Sequence, residues 1–143
     1  MADRDPYIYR IKDIHKVVDG DTIDASIDLG FDISLEKRIR LAGVDTPESR
    51  TADANEKKYG LESKEWLKHR CEGAKDILIK TELPDSTEKY GRIIGHLFIN
   101  GEETSLNNQM IAEGYAWEYS GGTKVKDFEK LKQIRKSKGT LVE

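Results

Sequence analysis

The chain has 143 residues, of which 36% are charged and 36% hydrophobic, with a formal net charge of −3. This length fits one domain, and the aromatic and β-branched runs argue against a disordered chain. The negative charge disfavours a protein that coats nucleic acid non-specifically, because such binding depends on the number of phosphates neutralised. A single cysteine, Cys71, excludes an internal disulfide and a cysteine-based zinc site, and it is interpreted as a small core residue.

The first half of the chain predicts three strands joined by tight turns. Residues 7–18 alternate and then lose their regularity, which indicates a bulge or bend. Asp19-Gly20 predicts a hairpin turn, and residues 23–29 alternate as a half-exposed strand. A third, half-buried strand begins near Leu35 and ends in the turn Asp45-Thr46-Pro47-Glu48.

The second half mixes helices and strands. Residues 49–56 lack a period and predict an exposed, mobile loop. Helical spacing follows over 57–72, 105–113 and 124–138, with strands at 76–81 and 93–99 and a short extended piece at 115–119. The whole is therefore α+β and mainly β: a five-stranded antiparallel barrel with three helices packed on one side. We expect one domain over 1–143, with loose tails at 1–6 and 139–143.

Three polar clusters lie at the ends of these strands. They are Asp19-Gly20-Asp21-Thr22, Arg40 with Asp45-Thr46-Pro47-Glu48, and Lys89-Tyr90-Gly91-Arg92. Taken alone, each cluster is most simply explained as a polar turn or as a basic segment at the start of a strand. Together they are more informative, because all three fall at strand ends of the proposed barrel.

The clusters combine acids and arginines in a way that suits phosphate chemistry. Asp21 and Asp45 are hard oxygen donors, and a main-chain carbonyl near Thr46 could join them around calcium. Arg40 and Arg92 could face that ion across a phosphodiester, since guanidinium groups match its oxygens. Glu48 is then a candidate general base for the attacking water.

These segments closely resemble the signature segments of the staphylococcal nuclease (thermonuclease) family, in the same order and with similar spacing, from about Tyr7 to Lys138. The resemblance implies an OB-fold barrel and calcium-dependent hydrolysis of DNA and RNA, preferably single-stranded or frayed, that leaves 3′-phosphate ends. Apart from the resemblance, no stretch of the sequence is apolar enough to span a bilayer, so no membrane association is expected. A monomer is expected because the sequence shows no heptad pattern and no obvious exposed apolar stripe.

Carried over by position, the resemblance assigns a role to each conspicuous residue. Asp21, Asp45 and the Thr46 carbonyl would bind calcium, with Asp19 as an acidic neighbour. Glu48 would be the base, and Arg40 and Arg92 the phosphate-binding arginines. The nucleotide would be bound by Lys89, Tyr90 and one C-terminal tyrosine, where Tyr119 is preferred to Tyr115.

Some positions depart from the family pattern. Glu88 stands where an aspartate is expected before Lys89, and the loop after Glu48 lacks a lysine-rich stretch, which weakens the expected grip on single strands. The tail 138–143 lacks the tryptophan common near the C-terminus of the family.

Two other interpretations compete, and the cellular location is left open. One is a catalytically inactive OB-fold module that only binds nucleic acid; retention of both arginines, Glu48 and the aspartates argues against it. The other is a sugar-nucleotide transferase, suggested by Asp19-Gly20-Asp21 alone. The N-terminus lacks an apolar signal core, so the location expected is extracellular by resemblance to a mature form, or cytoplasmic as the alternative.

Overall fold

The computed structural model describes residues 7–81, 91–120, 122 and 124–142. In chain order these form β1 (Ile8–Asp19), β2 (Thr22–Gly30), β3 (Ile33–Leu41), β4 (Val44–Asp45), α1 (Ala54–Glu72), β5 (Ile77–Lys80), β6 (Ile93–Ile99), α2 (Leu106–Glu113), β7 (Trp117–Glu118) and α3 (Phe128–Ser137). No described helix is long and apolar enough to cross a membrane.

Five strands close into a barrel in the neighbour order β1-β2-β3-β6-β5. The predicted five-stranded barrel with three helices is thereby confirmed. One pairing differs from the prediction: β3 and β6 run parallel, with Ile39 opposite Ile93 and Arg40 opposite Ile94, so the barrel is mixed rather than wholly antiparallel. The other four pairings of the barrel are antiparallel.

The barrel interior is filled by alternating strand residues, as half-buried strands require. Strand β1 keeps its inward face by shifting register against β2 at three points, after Ile11, Ile14 and Val17, which confirms the predicted irregularity. The fully enclosed side chains include Ile23, Ile39, Leu41, Ile79 and Leu97, and Leu67 and Met110 bring α1 and α2 onto this core.

Helix α2 is fastened to the barrel seam by a buried amide. The Asn107 side chain donates to the carbonyls of Ala42, at 2.8 Å, and Gly95, at 3.1 Å, and accepts from the Leu97 N–H at 3.1 Å. Main-chain groups at the end of β3 and within β6 are thus satisfied from one side chain. This holds the turn between β3 and β4 against the barrel.

Two helices begin at residues other than those predicted. Helix α1 starts at Ala54 rather than near Lys57, because the Asp53 carboxylate accepts hydrogen bonds from the N–H groups of Asn55 and Glu56. The prediction that 49–56 is an exposed, mobile loop was wrong in part, since Ser49 is buried and Glu56 is only 7% exposed.

Helix α3 starts at Phe128 rather than Lys124, because Asp127 caps it by accepting from the Lys130 N–H at 3.2 Å. Val125, which falls in the range 124–138 predicted as helical, lies before the helix and is 73% exposed. Beyond the helix, the Thr140 N–H donates to the Arg135 carbonyl, and Lys58 donates to the Val142 carbonyl.

The hairpin formed by β2 and β3 projects from the barrel with apolar side chains in solvent. Its tip, Phe31-Asp32, has positive φ at both residues, as a two-residue hairpin turn requires. Phe31 is 98% exposed and Ile33 57% exposed. An exposed apolar patch therefore exists where none was expected, while the monomeric state remains a prediction.

Candidate active site

The hairpin register places an arginine beside an aspartate at one rim of the barrel. Asp21 occupies the turn between β1 and β2, and Arg40 on β3 lies opposite Thr22 on β2. The Asp21 carbonyl accepts from the Leu41 N–H at 2.8 Å, and the Asp21 carboxylate accepts from the Thr22 hydroxyl at 2.8 Å. Asp21 is 9% exposed, so its carboxylate is held in one place by main chain and neighbours.

The second aspartate reaches the same rim through the small sheet formed by β4 and β7. Asp45 pairs with Trp117, and the following Thr46 donates its N–H to the Asp21 carboxylate at 3.3 Å. The Nη2 atom of Arg40 lies 3.4 Å from Asp21 Oδ2 and 3.9 Å from Asp45 Oδ1. Arg40 therefore bridges the two carboxylates.

Glu48 projects outward from a turn that is otherwise buried. Pro47 and Ser49 are buried on either side of it, and the Glu48 side chain is exposed. The Glu48 N–H donates to Glu56 Oε2 at 3.1 Å. Helix α1 approaches this turn so closely that a Cβ at Gly60 would lie 2.2 Å from the Glu48 carbonyl oxygen.

The acidic neighbour, Asp19, takes a hydrogen bond from the Ser49 hydroxyl. This contact joins the end of β1 to the residue just after Glu48. Asp19 therefore borders the site, and its carboxylate is hydrogen-bonded to the turn that carries Glu48.

Two lysines in the segment before α3, within the range predicted as helical, also reach the site. Lys124 Nζ lies 3.4 Å from Asp45 Oδ1, and Lys126 Nζ donates to Glu56 Oε2 at 2.7 Å. The hydrogen bond to Glu56 raises the pKa of Lys126. The segment is held in place by the Trp117 indole N–H, which donates to the Asp127 carbonyl at 2.9 Å.

The sequence carried a signal for the extended segment before α3, although not for the contacts that its lysines make. Asp127 is a good helix cap, so the residues before it need not be helical. In an extended segment Lys124 and Lys126 fall on the same side and Val125 on the other. Their partners, Asp45 and Glu56, are far away in the sequence and could not be read from it.

All six side chains or residues predicted for catalysis and metal binding line one cavity of about 220 Å³. These are Asp21, Arg40, Asp45, Thr46, Glu48 and Arg92, and Asp19 lines it as well. The described lining carries four carboxylates, Asp19, Asp21, Asp45 and Glu48, and four cations, Arg40, Arg92, Lys124 and Lys126. By formal charge the cavity is balanced.

A second cavity of about 620 Å³ lies next to the first and is more apolar. Tyr119 lines it, and its hydroxyl donates to the Gly122 carbonyl at 3.0 Å. Tyr115 lies elsewhere: its ring stacks on Trp66 and under the Arg135 guanidinium. Lys89 and Tyr90 lie outside the described residues.

Calcium is the ion that the family generally uses, and the donor set of this rim fits it. The two buried carboxylates and the Thr46 carbonyl are hard oxygen ligands, and the remaining positions could be filled by water or substrate oxygens. Within the described chain, no three histidine, cysteine, aspartate or glutamate side chains gather in a way that could hold a metal. Among the described residues, the protein ligands at this rim would be Asp21, Asp45 and the Thr46 carbonyl.

Comparison with known proteins adds an independent result. Residues 38–139 match the family model described as staphylococcal nuclease homologue. The chain is 28% identical over 137 residues to the protein ParB of Escherichia coli, an alignment that covers 91% of this chain and 69% of ParB.

Two plant proteins are also similar. The identity to the staphylococcal-like nuclease CAN1 of Arabidopsis thaliana is 35% over 83 residues, covering 57% of this chain. The probable staphylococcal-like nuclease CAN1 of Oryza sativa is 35% identical over 88 residues, covering 62% of the chain. The chain spans only 22% and 23% of those two proteins.

Proposed function

The chain belongs to the family of staphylococcal nuclease homologues, and from that premise we propose that it is a calcium-dependent nuclease that hydrolyses phosphodiester bonds of DNA and RNA. The observation that carries the proposal is the shared cavity: the predicted acids, arginines and glutamate line one space of about 220 Å³. We expect single-stranded or frayed strands to be the preferred substrates, as the family resemblance implies.

Arg40 and Arg92 bind the scissile phosphate. Their guanidinium groups donate to its non-bridging oxygens, on which negative charge increases in the transition state. Arg40 is already oriented, since its Nη1 donates to the Leu41 carbonyl at 2.8 Å and its side chain is 13% exposed. A guanidinium fixed in this way loses little freedom when the phosphate binds.

Glu48 takes a proton from the attacking water. Its carboxylate is exposed at the mouth of the cavity while its main chain is held by Glu56, so the side chain can reach a water molecule without the turn moving. The water oxygen bonds to phosphorus, the bond to the 5′-oxygen breaks, and that oxygen leaves as a hydroxyl after taking a proton from solvent. The other fragment keeps a 3′-phosphate.

Asp21, Asp45 and the Thr46 carbonyl would hold calcium at the floor of the cavity. When bound, the ion would supply positive charge to the phosphate oxygens and change the balanced cavity into a cationic one. Asp21 would offer the ion a carboxylate in a fixed position, since its oxygens accept hydrogen bonds from the Thr22 hydroxyl and the Thr46 N–H.

The proposal is tested by incubating heat-denatured DNA and RNA oligonucleotides with the protein in calcium, and in parallel with a calcium chelator. Cleavage only in calcium, with 3′-phosphate ends on the products, is the expected result. Glu48→Gln is the matched control for a contaminating nuclease, because it keeps the size of the side chain and removes the base. Binding without cleavage in calcium would instead favour the inactive OB-fold module.

A further inference from the structure

Lys124 is the one lysine in the described chain whose ammonium lies against a proposed calcium ligand. It sits in the extended segment before α3, and its Nζ is 3.4 Å from Asp45 Oδ1 and 5.6 Å from the centre of the Tyr119 ring. The Asp45 side chain is 7% exposed, whereas that of Lys124 is 49% exposed. A buried carboxylate is thus paired with a cation whose side chain is half exposed to solvent.

A divalent ion and this ammonium would compete for the same oxygen. Asp45 Oδ1 is already within 3.9 Å of Arg40 Nη2, so Arg40 and Lys124 together supply the positive charge that the buried acid requires. Calcium bound at Asp45 would place two further positive charges next to Lys124. Because like charges repel at such short distances, the Lys124 ammonium would move away from Asp45.

The neighbouring cavity gives the ammonium a place to go. Among the described residues, Arg40, Arg92 and Lys124 are the side chains that line both the site cavity and the larger one beside Tyr119. Lys124 has four flexible methylene groups, and the contacts of its ammonium with described residues are the ion pair with Asp45 and the face of the Tyr119 ring. A small rotation at the end of the side chain would carry it from Asp45 toward the larger cavity.

We propose that Lys124 is an exchangeable counterion, which holds Asp45 while the metal site is empty and moves to a phosphate of the bound strand once calcium binds. The inference rests on the proposed function, because it assigns the metal to Asp45 and a phosphodiester to the adjoining cavity. It adds a substrate-binding residue outside the predicted set.

The exchange couples the two ligands. Calcium frees Lys124 for the strand, and a strand phosphate that binds Lys124 removes the competitor of calcium. By linkage each ligand then raises the affinity for the other by the same factor. The free protein is expected to bind calcium weakly and the complex to bind it more tightly.

The experiment measures calcium affinity by titration calorimetry for the wild type and Lys124→Met, alone and with a phosphorothioate-linked oligothymidylate that resists hydrolysis. For Lys124→Met alone, we expect calcium to bind about tenfold more tightly than to the wild type. The oligonucleotide should bind this variant more weakly in calcium, and the factor by which it improves calcium binding should be smaller than in the wild type. Lys124→Arg should retain the coupling.

Lys132→Met is the matched control, because Lys132 is exposed on α3 and the same charge is removed away from the site. Its calcium affinity should equal that of the wild type. An unchanged calcium affinity and coupling in Lys124→Met would overturn the inference while leaving the nuclease proposal intact, provided that the wild type cleaves DNA in calcium. A wild type that neither binds calcium nor cleaves would overturn both.

Discussion

The carboxylate of Glu56 holds the main chain of Glu48. Its Oε2 atom accepts from the Glu48 N–H at 3.1 Å and from the Lys126 ammonium at 2.7 Å. Glu56 lies in the first turn of α1, and 7% of it is exposed. One buried side chain thus fixes the turn that carries the proposed base to the helix and to the segment before α3.

Removing this acceptor should lower kcat more than it changes KM. In Glu56→Ala the Glu48 N–H loses its partner and the turn shifts, and since small displacements of a catalytic group are costly, we expect at least a tenfold fall in kcat. Glu56→Gln keeps an oxygen for the N–H and should stay near the wild type. Steady-state cleavage of denatured DNA in calcium distinguishes them; equal kcat for Glu56→Ala and the wild type would contradict the positioning role.

Glu48→Gln and Arg92→Ala should each lower turnover by roughly 10²–10⁴-fold, the range for a lost base or charge donor. Single-turnover cleavage of a labelled oligonucleotide measures the effect. Glu48 is exposed, so its variant should melt at the wild-type temperature. If both variants turn over as fast as the wild type, the assignment of base and phosphate-binding arginine is wrong.

Gly60→Ala should damage both stability and activity, although alanine is the better helix former. A Cβ there would lie 2.2 Å from the Glu48 carbonyl oxygen and 2.6 Å from the Ser49 nitrogen, and main-chain atoms cannot rotate away. We expect a loss of about 1–3 kcal/mol in the free energy of unfolding, which outweighs the helix-propensity gain of about 1 kcal/mol. Gly73→Ala is the control, because the nearest atom to its Cβ would be 3.5 Å away. Urea denaturation of both variants gives the comparison.

Burial raises the pKa of the Cys71 thiol to about 11, from its ordinary value of 9.0. A group whose pKa is raised on folding stabilises the protein below the unfolded pKa and loses that contribution as the pH rises through the folded value. Between pH 9 and 11 the wild type should therefore lose roughly 2–3 kcal/mol relative to Cys71→Ala, at about 1.4 kcal/mol per pKa unit. Urea denaturation at several pH values tests this. A difference between the two proteins that does not change with pH would show that the thiol titrates normally.

The parts of the fold that follow from local pattern were predictable. Alternation gave the strands of the first hairpin, and Asp19-Gly20 gave its turn, because side-chain period and turn chemistry depend on neighbours in the chain. The cap at Asp53, with Glu56 three residues later as in a capping box, was a local signal that the predicted helix start at 57 missed. What could not be seen was that Glu56 instead reaches Glu48 and Lys126.

The parts that depend on distant pairings were not predictable. No periodicity in β3 or β6 tells that they run side by side in the same direction, since that follows from the order in which the barrel closes. For the same reason the contact between Lys124 and Asp45 could not be predicted from the sequence. The overall charge of −3 likewise says nothing about a cavity in which four acids face four cations.

The parallel pairing of β3 and β6 fixes the spacing between the main chains at Arg40 and Arg92. Arg40 lies within this pairing and Arg92 immediately precedes β6, so the two arginine-bearing backbones are spaced by sheet hydrogen bonds, about 4.8 Å from strand to strand. Loops around the rim can lengthen or change composition without altering that spacing. The preference for one nucleic acid over another can then change through these loops, while the distance between the main chains that carry the two arginines stays constant.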